Sequence, residues 1–266
     1  MKKIISIILA VIFSIFFIGC DACGIDGIQD EKVATQAEFI EFIKYKVNPY
    51  TNGTFSVSVD TDYEYNFAEK DDGVVVVTDG EISASGTFNY RNGHFISAKT
   101  KVKYEQTKEY NSSSSSREDE WYLSETAIGG IIDYEEQWFY DRYTNVKENG
   151  VREKTDVLTK SEGIASRGLS AISFPPKAKD ILGIIDNVLS GYPTGNGVYF
   201  FIDGDDCLLI ESGNSYLKKT ALIYDGNELK KICVYSESIN SVLETTYEFC
   251  DYIEIRVPSN ASEYSD

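Results

Sequence analysis

The residues able to do chemistry in this chain are few and poorly spaced for it. One histidine, His94, stands beside Asn92 and Gly93, so neither a histidine-based triad nor an HExxH zinc site can be assembled. GxSxG, GxxxxGK[ST] and a GxGxxG ahead of a helix are missing. Carboxylates number 43, enough that some pair will stand at glycosidase-dyad distance by chance. The runs Asp60-Thr61-Asp62 and Asp203-Gly204-Asp205-Asp206 offer oxygen ligands of the kind calcium takes. Neither has EF-hand spacing, because Asp206 stands where that loop needs a spacer and no glutamate closes it. Both read as solvated turns. No catalytic residue, metal or cofactor is assigned, and the expectation is a protein that is not an enzyme.

Five cysteines remain: Cys20, Cys23, Cys207, Cys233 and Cys250. The only CxxC spacing is Cys20 to Cys23, which argues against a zinc site. Cys233 and Cys250 fall on neighbouring strands of one hairpin if its turn is centred near Ser241, with their sulfurs on one face. Two readings stand open there: a disulfide stapling the hairpin, as an oxidising compartment permits, or two reduced, half-buried thiols.

The N-terminus explains Cys20. Lys2 and Lys3 precede an apolar run over residues 4–18, broken only by Ser6 and Ser14, and then the small Gly19. That is the layout of a secretory leader. The run is shorter than the ~20 residues a transmembrane helix needs. Ile18-Gly19-Cys20 resembles the lipobox of bacterial lipoproteins, in which the first mature cysteine carries diacylglycerol; Phe17 stands where that pattern usually has an aliphatic residue. The resemblance implies cleavage before Cys20, a lipid anchor on it, and a location on the extracytoplasmic side of the cell membrane. Removing the first 19 of 266 residues leaves 247, and the loss of two lysines takes the net charge from −18 to −20. So acidic a surface repels nucleic acid and anionic headgroups. Nineteen tyrosines and fourteen phenylalanines supply a core, which excludes disorder throughout.

These residues are carried by a legible series of elements. Residues 20–33 read as a flexible tether. Thr35-Gln36-Ala37-Glu38 is a capping box, followed by Phe39, Ile43 and Val47 at helical spacing as far as Asn48-Pro49. Strands follow: Phe55, Val57 and Val59 alternate with serines, Tyr63, Tyr65 and Phe67 repeat the pattern, and residues 74–77 are a valine run between two glycine turns. Asn92-Gly93 and Asn149-Gly150 signal hairpins. The serine tract at 112–116 reads as a mobile surface excursion. Pro175 and Pro176 then open a second amphipathic helix with Ile181, Ile184, Ile185, Val188 and Leu189 on one face, ended by Gly191 and Pro193. From Gly197 the chain reads as strands, the last over residues 251–257, before a polar tail at 259–266.

Helix, antiparallel strands, helical segment and further antiparallel strands, ending in Phe249-Cys250-Asp251-Tyr252-Ile253, is an order similar to that of the LolA-like and LppX-like lipoprotein group. The resemblance implies an α+β fold over residues 34–258, a strongly curved antiparallel sheet forming a half-barrel with amphipathic helices on its concave face. It also implies an apolar space in which Ile181, Ile184, Ile185 and Val188 would face an acyl chain or other apolar ligand. The expected function is therefore a non-catalytic, membrane-anchored lipoprotein that binds or carries an apolar ligand. The alternative is a surface interaction protein without a cavity, for which Tyr63, Tyr65, Trp138 and Tyr140 would serve as contact residues.

Overall fold

The structure, a computed structural model, describes residues 33–46, 52–71, 73–112, 115–163, 197–213 and 217–266. The leader, Cys20, the tether up to residue 32 and the expected second helix with Ile181, Ile184, Ile185 and Val188 lie outside these. The chain divides into two compact units: Met1–Val47 with Ala178–Ser238, and Asn48–Lys177 with Ile239–Asp266. Twelve strands are described, every strand pairing antiparallel, with one α-helix.

In the first unit the strands β1 (Val33–Ala34), β8 (Val198–Asp203), β9 (Asp206–Ser212), β10 (Leu217–Asp225) and β11 (Glu228–Ser236) lie side by side in that order. Val33 therefore already belongs to the sheet, one residue before the expected boundary of the domain. The helix α1 (Gln36–Tyr45) starts where the capping box requires. The Thr35 hydroxyl accepts the Glu38 amide at 3.2 Å, and the Glu38 carboxylate accepts the Thr35 amide at 2.8 Å. Its buried residues, Phe39 and Ile43, are four apart and share one face. Phe39 packs on Phe200 of β8 with ring centroids 4.9 Å apart, and Phe42 meets Tyr224 of β10 edge-on at 6.3 Å. Leu208, Ala221 and Cys233, in register across β9, β10 and β11, are fully buried on the other face of the sheet. Strands apolar on both faces explain the near-continuous Cys207-Leu208-Leu209-Ile210 run.

The second unit holds β12 (Ser241–Asp251), β2 (Thr54–Asp71), β3 (Val74–Arg91), β4 (His94–Asn111), β5 (Ser116–Ile132), β6 (Glu135–Glu148) and β7 (Val151–Glu162), in that spatial order. β2, β3 and β4 are each 18 residues long. The two strands expected around Phe55 and Tyr65 are one, because Asp60-Thr61-Asp62 does not break the alternation. Thr61 is buried beside Thr245 of β12, whereas Asp60 and Asp62 point to the exposed face. Two turns are as expected. Asn92-Gly93 and Asn149-Gly150 have positive φ at both residues (49° and 75°, 48° and 81°), the hairpin geometry whose twist suits the flanking strands. His94 is exposed beside the first. Of the serine tract, Ser112 and Ser115 bond to one another between β4 and β5, which begins at Ser116, and residues 113–114 lie outside the described residues.

The alternation gives this sheet two different faces. On the first, Val57, Phe88, Ala98 and Trp138 are fully buried, and the Trp138 indole covers Gly129, where an added Cβ would come within 2.5 Å of it. A bulge at Asn89/Tyr90 turns Phe95 onto this face, where it stacks on Trp138 at 6.2 Å. Trp138 and Tyr140, taken in the surface-interaction reading as contact residues, are both core. The second face is mainly polar, and the C-terminal segment crosses part of it. Residues 252–257 do not extend β12 as the sequence suggests. The Ile253 amide donates to Ser56 Oγ at 2.7 Å and its carbonyl accepts from Asn89 Nδ2 at 2.8 Å, so side chains of β2 and β3 take the place of a strand partner. The tail beyond is seated too: Tyr264 meets Phe139 edge-on at 5.5 Å, and the Lys160 amide bonds Ser265 O at 2.7 Å.

Candidate functional site

Gly80 begins the site. The sequence marks it as a turn, but it lies inside β3, in register with Tyr65 of β2 and Gln106 of β4. Its φ needs no glycine; the space does. A Cβ there would lie 2.3 Å from Tyr65 Cζ and Oη. The missing side chain lets the Tyr65 ring lie flat across β3, so that its hydroxyl accepts from Gln106 Nε2 at 2.6 Å and meets Tyr104 Oη at 3.2 Å. Burial first, and then the bond to Tyr65, push the Tyr104 phenol far above its ordinary value, so it stays neutral and able to donate.

From this floor a pocket of about 700 Å³ extends over the first face of β3, β4, β5 and β6. The strand register arranges its lining in rows. Ile82, Tyr104, Leu123 and Thr144 form the middle row, with Gln106 and Trp121 in the next. Charge brackets this apolar centre at both ends. Toward the sheet interior, Glu125 is fully buried and accepts from both Nε (2.9 Å) and Nη2 (2.6 Å) of Arg142. Toward the β4–β5 turn, Arg117 holds Asp119 through two contacts of 3.1 Å and a shorter one, with its guanidinium 4.6 Å from the Tyr110 ring centre. That pairing holds the Asp119 carboxyl below the usual carboxylate range, with a further bond from the Asn149 amide, and raises Arg117 in turn. Eight residue steps along β5 separate Arg117 from Glu125, about 27 Å at the rise of a strand. The exposed end is the Arg117 end, where its side chain is 45% accessible against 1% for Glu125.

The other expected sites fare differently. Asp205, proposed as a calcium-type ligand and set aside, is instead bonded to a lysine: Lys46 Nζ, at the C-cap of α1, lies 2.6 Å from Asp205 Oδ1 and 2.6 Å from Gly226 O. The ammonium also faces the Phe42 and Tyr224 rings at 4.9 and 5.2 Å. Among the described residues no group of acidic, histidine or cysteine side chains could hold a metal ion. A disulfide between Cys233 and Cys250, one of the two readings left open, is not formed. Cys250 is a free thiol directed at Ser56 O, 3.6 Å away. Cys233 is disulfide-bonded to a partner outside the described residues.

The strand content was legible but the pocket was not. Its one visible trace is β4, where Val102, Tyr104, Gln106, Lys108 and Tyr110 alternate with Lys103, Glu105, Thr107 and Glu109 and the row that should be uniformly apolar turns polar halfway.

No protein-family model matches the chain, and no curated protein does. Among solved structures it is similar to the crystal structure of a β-barrel-like protein of domain of unknown function DUF1849 from Brucella abortus, at 8% identity and a TM-score of 0.27, over 76% of this chain and 100% of that one. So distant a likeness transfers neither fold nor activity. The class of this protein thus rests on its own strands: an antiparallel β-protein of two units with a lined pocket on one of them.

Proposed function

We propose that this protein is an extracytoplasmic lipoprotein, anchored through Cys20, that binds an amphiphilic molecule with a substantial apolar part in the pocket of its second unit. One observation carries the reading: a space of about 700 Å³ lined by Trp121, Tyr104, Leu123, Ile82 and Val102 from three adjoining strands. That volume lies within the ~300–1,000 Å³ of small-molecule sites, and an apolar lining with a few placed polar groups is their usual composition. The ligand would then lie on the sheet itself. The leader and the Ile18-Gly19-Cys20 sequence support the anchor, and the acidic composition supports a body repelled by an anionic bilayer surface.

The test is native mass spectrometry of the full chain in amphipol, set beside Leu123→Arg, which places a charge in the pocket floor. One amphiphile per chain, held by the wild type and lost in a folded variant, is the expected result. Identical bound material in both proteins overturns the pocket reading and favours an interaction protein. The anchor is tested separately by Cys20→Ala, whose unchanged mass and unchanged membrane retention would refute lipidation.

A further inference from the structure

The charges around the pocket are balanced to an unusual degree for so acidic a chain. Lys108, Arg117 and Arg142 line it together with Asp119 and Glu148, and Glu125 completes the set through Arg142. Three cations therefore face three carboxylates, in a protein whose net charge is −18. Each arginine is committed to a carboxylate of its own, Arg117 to Asp119 and Arg142 to Glu125. Both carboxylates are buried, so these pairs are permanent features of the lining.

Building on the amphiphile reading above, we infer that the pocket selects a molecule whose polar head carries no net charge, neutral or zwitterionic, and discriminates against the free anion with the same apolar chain. A free carboxylate or phosphate monoester entering this space loses hydration and finds, beside the two committed guanidinium groups, only Lys108, whose charge is matched within the same lining by Glu148. Both guanidinium groups are already neutralised at contact distance, and an unpaired anion in a partly desolvated site is disfavoured. A neutral oxygen meets a different situation. Glu125 accepts from the Nε and Nη2 side of the Arg142 fork, and an ester, amide or hydroxyl oxygen can accept a further guanidinium N–H without bringing in a charge that must be balanced. The Tyr104 phenol and the Gln106 amide, fixed by Tyr65, add uncharged polar groups beside the apolar middle row. At the exposed end, Arg117 and the exposed Glu148, both in the lining, present one positive and one negative partner, the complement of a zwitterion.

Selectivity is set by the two buried carboxylates. Glu125 and Asp119 keep the arginines from acting as anion receptors. Removing either negative charge while keeping its shape should turn the site toward anions.

The experiment uses the full chain in amphipol and reads fluorescence of Trp121, which lines the pocket; Trp138, the other tryptophan, is fully buried. The probes share one brominated oleoyl chain: the free fatty acid, the monoacylglycerol and the lysophosphatidylcholine. The expected result is at least tenfold tighter quenching by the last two than by the fatty acid, with little dependence on salt. In Glu125→Gln the fatty acid should gain tenfold or more relative to the monoacylglycerol. Asp119→Asn provides the same test at the exposed end should Glu125→Gln fail to fold. A wild type that binds the fatty acid as well as or better than the uncharged probes overturns the inference, as do folded variants with unchanged preference. Failure of all three probes to quench would instead overturn the amphiphile reading on which it rests.

Discussion

Lys46 Nζ sits 2.6 Å from Asp205 Oδ1, joining residues 159 positions apart in the chain. The lysine side chain is 7% exposed and the aspartate 58%. Its carbon stem lies in the core of the first unit while its ammonium binds the turn after β8 and the carbonyl of Gly226 in the turn after β10. One cation thus ties the end of α1 to two hairpin turns, at an acidic run that the sequence alone reads as a solvated turn.

Lys46→Ala should lower stability by about 2–3 kcal/mol, through lost bonds to a charged donor and lost contact with the two rings. Chemical denaturation of the variant checks this. The pH dependence follows from Asp205, whose folded-state carboxyl is held below its ordinary value by the bond to Lys46. A carboxyl depressed on folding stabilises above its unfolded pKa, and that stability is lost as pH falls through its folded pKa. Asp205→Asn should therefore flatten the acid side of the melting-temperature profile. A variant as acid-sensitive as the wild type would show that the pair does not couple to folding.

Gly80→Ala should cost about 1–3 kcal/mol although the backbone there suits any residue, since the new methyl must push aside the Tyr65 ring. The same displacement breaks the bonds from Tyr65 to Gln106 and Tyr104 beneath the pocket. In the Tyr65→Ala background the substitution should be nearly silent, so a double-mutant cycle has a large coupling energy. Additive effects would mean that ring and glycine are not in contact.

The thiols make a third check. Cys207 is fully buried and burial drives its thiol far above its ordinary value, while the half-buried Cys250 is raised less. Alkylation of the native protein should leave Cys207 unmodified until unfolding. Non-reducing peptide mapping should show Cys233 in a disulfide with neither Cys207 nor Cys250. A peptide linking Cys233 to Cys250 would contradict the structure.

What the sequence determined by itself is what neighbours along the chain decide. The capping box at Thr35, the Asn-Gly hairpins and the alternation through Phe55, Val57 and Val59 are local devices, each complete within a few residues. They specify that the chain is strands with at least one capped helix, and the leader with Cys20 motivates the membrane address. What only the tertiary structure decided depends on which strand lies beside which. Gly80 reads as a turn until Tyr65 is seen lying over it, and the polar serine of β2 and asparagine of β3 gain meaning only when Ile253 crosses them. The pocket needs the register of four strands at once. A strand's period of two tells which residues share a face, but not what stands opposite them, and a shift of one residue would send Tyr104, Leu123 and Trp121 to the other side.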